Sequence, residues 1–254
     1  MIKARHKRKY FLETSRTNLS YDCSQLQHWL LHTPMGREIL RKERFFLHNN
    51  NNVSTIFGTN SLQIGLGEIN LLHGNKIPNH YTLNIDLKAD LRFIPLATNS
   101  IDLIVCPHVL EFTNNYHHVL QEFQRILTPQ GKLIITAFNR YSWFGFLKSR
   151  INILKNARLI KLGQLKDQLQ TLNFHLEGGK FFGYTPPFKD VKKIHKYRWM
   201  NKIGDRWFPT FANSFAIIAR KEVITPTLIK RMDMEAFKIP ETVNLGTAKT
   251  CNKS

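Results

Sequence analysis

An α/β fold with a mostly parallel sheet is what this 254-residue sequence predicts, and the prediction rests on the stretch from Ala89 to Asn139. Two apolar runs, Ile101 to Cys106 and Lys132 to Phe138, are short, rich in β-branched residues and bounded by turn residues. They read as buried strands. Between them Tyr116, Val119, Leu120, Phe123 and Leu127 fall on one helical stripe. Thr128, Pro129, Gln130 and Gly131 then stop that helix and turn the chain. Strand, helix and strand in this order predict a right-handed crossover between parallel neighbours.

The other elements follow in chain order. Residues 1–23 are expected to form a basic, loosely ordered arm. Residues 24–47 have helical spacing on both sides of Pro34-Met35-Gly36. His48 to Asn52, with four consecutive Asn, is a loop. A strand is expected around Ser61 to Ile64, ending in Gly65-Leu66-Gly67, and a second strand from Tyr81 to Asp86. Residues 147–162 read as a basic amphipathic helix or loop, Gln164 to Leu172 as a helix and His175 to Phe182 as a strand. Residues 183–209 form a long connection rich in Pro, aromatic and basic residues, of a kind that is often functional. Phe211 to Ala219 is the final strand, and the polar residues 223–254 are expected to be disordered.

The central stretch resembles the second half of a class I S-adenosylmethionine (SAM) dependent methyltransferase of the type 11 group. The resemblance is carried by Asp90, Ile94-Pro95-Leu96, Ile101-Asp102, His108-Val109-Leu110-Glu111, Arg125-Ile126-Leu127, and Pro129 with Gly131. It covers roughly residues 25–221, with its specific motifs between 62 and 139. It implies a Rossmann-like sheet with helices on both faces and an antiparallel last strand. Residues 24–222 would form the methyltransferase domain, with 24–47 as N-terminal lid helices and 183–209 as an insertion.

The same resemblance implies the cofactor, SAM, and a set of residues to hold it. Gly65 and Gly67 would turn the chain from the first strand into the first helix. There the absence of Cβ lets backbone N–H groups approach the methionine end of SAM. Asp86, at the end of the second strand, would accept the ribose hydroxyls, with a turn or cap as the plain alternative. Asp90 would accept from the adenine amine beside Leu91, the plain alternative being an Asx-turn. Cys106 closes the next strand, where ligands of open parallel sheets bind. Beyond it His108 and Glu111 would act as general base or orient the acceptor, the plain alternative for Glu111 being a cap of the loop that leads to the next helix.

On the acceptor side, Asn139, Arg140, Tyr141 and Trp143 lie in the loop after the next strand, and Trp29 either lines the cleft or anchors the core. Two departures from the pattern stand out. Gln63 occupies the family's acidic position, where it would still meet the cofactor by hydrogen bonding but without a charge for the SAM ammonium, and Ile69 replaces the third glycine. Gly67 and Asp90 are only 23 positions apart. A helix, a strand and a second helix need about twice that, so one βα unit is shortened.

Composition bounds the rest. Cys23, Cys106 and Cys251 are odd in number and never paired as CxxC, which argues against a disulfide framework and a zinc site. No apolar run is long enough to span a membrane, and the basic N-terminus lacks the apolar core of a secretory signal. A cytoplasmic, reducing location is the expectation.

The formal net charge is +19. Residues 50–140 balance six basic against six acidic side chains, whereas residues 147–206 hold fourteen basic and four acidic. That excess, interleaved with aromatics, fits RNA or an anionic membrane surface. RNA is the favoured partner, because no continuous amphipathic helix with a large apolar face is evident there. The leading function is SAM-dependent methyl transfer. The alternative is a catalytically degenerate relative that binds nucleic acid or a protein partner on the same scaffold.

Overall fold

The structure, a computed structural model, describes residues 24–49, 53, 56–83, 90–188 and 190–222. The expected N-terminal arm, the expected C-terminal tail and Asp86 lie outside these residues. Six strands form one sheet in the order β2-β1-β3-β4-β6-β5. They are β1 (Asn60–Ile64), β2 (Asn79–Leu83), β3 (Ile101–Pro107), β4 (Leu127–Phe138), β5 (Phe174–Phe182) and β6 (Ser214–Lys221). Strands β1 to β4 pair in parallel, and β6 runs antiparallel to both β4 and β5. The predicted α/β class and the antiparallel last strand are therefore what the chain adopts.

Alternation along the strands builds a core on each face. Leu103 and Val105 of β3, Ile134 of β4 and Ile218 of β6 point to one side. They meet the helix over residues 24–32 (α1) and α2 (Pro34–Asn49) through Leu26, Leu30, Ile39 and Leu47. Ile104, Leu133, Ile135 and Ile217 point to the other side, against α3 (Tyr116–Ile126) and α5 (Leu162–Thr171). The stripe Val119, Leu120, Phe123 and Ile126 of α3 is fully buried, as its spacing predicts. α1 and α2 thus form a packed layer of the core.

Four local details correct or sharpen these expectations. First, no helix follows Gly65-Leu66-Gly67: residues 65–78 are a run of turns joining β1 to β2. That loop buries Leu66, Ile69, Leu71, Leu72 and Ile77 in the same core as α1 and α2, doing a helix's packing without its backbone pattern. Second, α3 ends at Ile126 and β4 begins at Leu127, so the expected turn at 128–131 is an irregularity within the strand, where the register shifts between Leu127 and Lys132 and Gln130 is left-handed at φ 66°. Third, residues 147–161 take the loop form of the helix-or-loop expectation, with two short 3-10 turns in 148–154, and α4 (Trp143–Phe146) comes before them. Fourth, the connection 183–209 contains two helices, α6 (Val191–Lys196) and α7 (Trp199–Trp207).

Candidate functional site

Because β1 to β4 are parallel, their C-terminal ends lie along one edge of the sheet, the place where open α/β sheets bind ligands. Three turns define that edge: residues 65–71 after β1, 108–112 after β3 and 139–142 after β4. Gly65 leaves β1 at φ +74°, and a Cβ there would lie 2.5 Å from Val109 Cγ2. Glycine is thus required both by the left-handed turn and by the approach of the β3 end.

Gln63 lies under the same turn and is buried. Its side-chain nitrogen lies 2.7 Å from the Ile69 carbonyl and 3.2 Å and 3.3 Å from those of Leu66 and Gly65. Its side-chain oxygen accepts the Leu71 N–H at 2.8 Å. The amide is engaged on both sides by its own loop. A carboxylate in its place would face three carbonyl oxygens, so amide chemistry is what this loop requires.

Asp90 forms the Asx-turn expected as its plain alternative: its carboxylate accepts the Arg92 N–H at 3.1 Å. It also pairs with the Arg92 guanidinium, closest at 2.7 Å. Leu91 and Cys106 are buried in one core cluster.

At the end of β3 the side chains form a closed triad. His108 leaves the strand at φ 52° with its ring stacked on Phe138, centroids 4.0 Å apart. Its Nε2 lies 2.8 Å from Glu43 Oε1 and its Nδ1 3.1 Å from Glu111 Oε1. Glu111 Oε1 also accepts the Phe138 N–H at 2.7 Å. His108 and Glu111 have no exposed surface and Glu43 almost none. Burial pushes the imidazole down, but the two carboxylates outweigh it and raise His108 to about 10. The triad is a charged tie between α2 and the ends of β3 and β4.

Glu43 was missed from the sequence. Its signal was there: it is the acidic residue on the apolar stripe Ile39, Leu40, Phe46, Leu47 of α2. A charge on a buried stripe needs a partner.

Asn139 is also spoken for. Its side-chain nitrogen donates to the Thr210 and Ala212 carbonyls and its oxygen accepts the Tyr141 N–H. Trp29 is half-buried, edge-on to Phe138 and Phe144, which is the anchoring alternative. Arg140, Tyr141 and Trp143 are exposed. Trp143 forms part of the wall of an aromatic pocket of about 410 Å³ between α4 and α7. No group of three or more His, Cys, Asp or Glu among the described residues is arranged to hold a metal ion.

Residues 71–135 match the family model of the type 11 methyltransferase domain. The chain is 26% identical over 178 residues to YafS, an uncharacterised protein of Escherichia coli strain K12, covering 66% of this chain and 68% of that protein. It is 35% identical over 91 residues to MJ0638, an uncharacterised protein of Methanocaldococcus jannaschii, covering 36% of each. Among solved structures, a chain from the complex of the Haloferax volcanii Trm112 methyltransferase activator with a methyltransferase superposes with a TM-score of 0.53 at 12% identity. It covers 78% of this chain and 98% of that one. A SAM-dependent methyltransferase from Archaeoglobus fulgidus gives 0.51 at 17%, covering 72% and 94%. The chain thus resembles the class I type 11 methyltransferases in sequence and shares their Rossmann-like fold. Family match and fold together support SAM-dependent methylation as the general class of chemistry.

Proposed function

We propose that this chain binds SAM at the C-terminal edge of β1 to β4 and transfers its methyl group to an acceptor by in-line displacement. The observation that carries the reading is the left-handed Gly65 turn at the end of β1, in family order with the matched stretch 71–135. SAM, when bound, supplies a methyl group activated as a sulfonium. The chain's own contribution is to hold and align, which can account for a large share of the barrier reduction.

In this reading the 65–67 backbone faces the methionine part, Asp86 the ribose, and Asp90 with Leu91 the adenine, while Cys106 lines the strand end. Asp90 exchanges some of its contact with Arg92 for the ligand. His108, Glu111 and Glu43 act as positioning residues, because their triad is closed to solvent. They fix the turn through which β3 meets the cofactor edge. Arg140, Tyr141 and Trp143 stand on the acceptor side.

The residues fit the cofactor in part. The glycine turn and the strand edge suit it. Gln63 does not, since its amide is committed to the loop. That observation favours a second reading, a methyltransferase-fold protein that has lost catalysis and binds a partner.

Calorimetric titration separates the two. Binding of SAM or its demethylated product tighter than about 1 mM supports the enzyme. No heat and no thermal shift at millimolar SAM leaves the degenerate scaffold.

A further inference from the structure

Among the described residues, exposed large apolar side chains cluster around one pocket. Thirteen large hydrophobic side chains are exposed among the described residues, and eight of them fall in 141–146 and 199–211. Six of these eight line the 410 Å³ pocket, whose walls include Trp143, Tyr184, Trp199, Ile203 and Phe208. No charged or amide side chain is among its nine lining residues. A concavity of this size and lining takes an apolar ligand.

α7 supplies what the sequence had not made evident. Arg198, Lys202 and Arg206 recur every fourth residue, and Trp199, Ile203 and Trp207 recur beside them. The apolar stripe is 56%, 45% and 68% exposed, so the core does not use it. The helix is amphipathic with both stripes turned outward, which corrects the reason for favouring RNA. α6, just upstream, adds exposed Lys192, Lys193 and Lys196. Residues 190–207 hold six basic and two acidic side chains.

RNA would also meet basic charge and aromatic faces. A nucleobase, however, brings polar edges, and the pocket wall has no side chain to match them beyond the Tyr184 hydroxyl. A bilayer satisfies every feature. Headgroup charge meets the basic stripe, Trp and Phe sit at the interface, and hydrocarbon fills the pocket.

We propose that this face seats the protein on an anionic lipid bilayer, with the pocket taking a hydrocarbon chain. The inference does not depend on SAM binding. The test is sedimentation of the full chain with phosphatidylglycerol–phosphatidylcholine vesicles, pure phosphatidylcholine vesicles and total RNA, at matched ionic strength. Three of the four tryptophans, Trp143, Trp199 and Trp207, are on this face, so emission should shift to the blue with the anionic vesicles.

Trp207→Glu and Ile203→Glu replace exposed side chains and should each weaken vesicle binding about tenfold or more. Phe57→Glu, exposed elsewhere, should leave it unchanged. Failure to bind anionic vesicles overturns the proposal, as does binding indifferent to both α7 variants. So does capture of RNA with the vesicles ignored. SAM titration of the same preparation keeps the two readings apart, since a protein that binds SAM but not vesicles sinks only this one.

Discussion

Between β3 and β4 the chain crosses the sheet on α3, but between β1 and β2 it crosses on residues 65–78 without a helix. The first crossover satisfies its backbone internally and buries the stripe around Phe123. The second buries a comparable set, Leu66, Ile69, Leu71, Leu72 and Ile77, but its Ile69 carbonyl and Leu71 N–H need partners from outside the loop. Gln63 supplies them from the strand below. The comparison teaches that a shortened βα unit can keep its core while changing its polar chemistry. The residue that changes is the one expected to meet the cofactor.

The comparison can be broken at either end. Phe123→Ala empties the centre of the α3 stripe and should lower stability by about 3–5 kcal/mol in chemical denaturation. Gln63→Leu keeps the bulk but leaves the Leu71 N–H and the Ile69 carbonyl without their partner. It should cost about 2–3 kcal/mol. A loss below about 0.5 kcal/mol would mean that the loop holds itself, and Gln63 would return as a candidate ligand.

The triad gives a pH test. His108 is raised to about 10 in the fold, against roughly 6.5 when unfolded. A raised pKa means that the charged histidine's contribution is full below about pH 6.5 and is lost as pH rises towards 10. Wild-type stability should therefore fall more between pH 7 and pH 9.5 than that of His108→Asn. Parallel profiles would mean that the imidazole is neutral in the fold.

The smallest effect is expected at Asp90. Its pair with Arg92 is partly exposed, so Asp90→Ala should cost at most about 1 kcal/mol of stability. The same substitution should weaken SAM about tenfold if Asp90 reads the adenine.

What the sequence made legible follows the same division. Ile101 to Phe138 was readable because its signals are local: β3 and β4, buried on both faces, are continuous apolar runs, and α3 carries a 3.6-residue stripe. The helix-free crossover was visible only as a length, the short span from Gly67 to Asp90. Nothing local said that Gln63 would turn its amide onto the loop. Glu43 and His108 are 65 positions apart in the chain, so their contact was not a pattern to be read. α7 was obscured because its stripes are both exposed, and a basic-aromatic run without a buried face resembles a loop.

In the proposed function SAM binds at the edge where the helix-free crossover meets β3. Hydrogen–deuterium exchange of the full chain, with and without millimolar SAM, tests it most directly. The account predicts slowed exchange in residues 65–71, 90–93 and 106–111. Unchanged exchange in all three segments, or protection confined to 141–146 and 199–211, would contradict it.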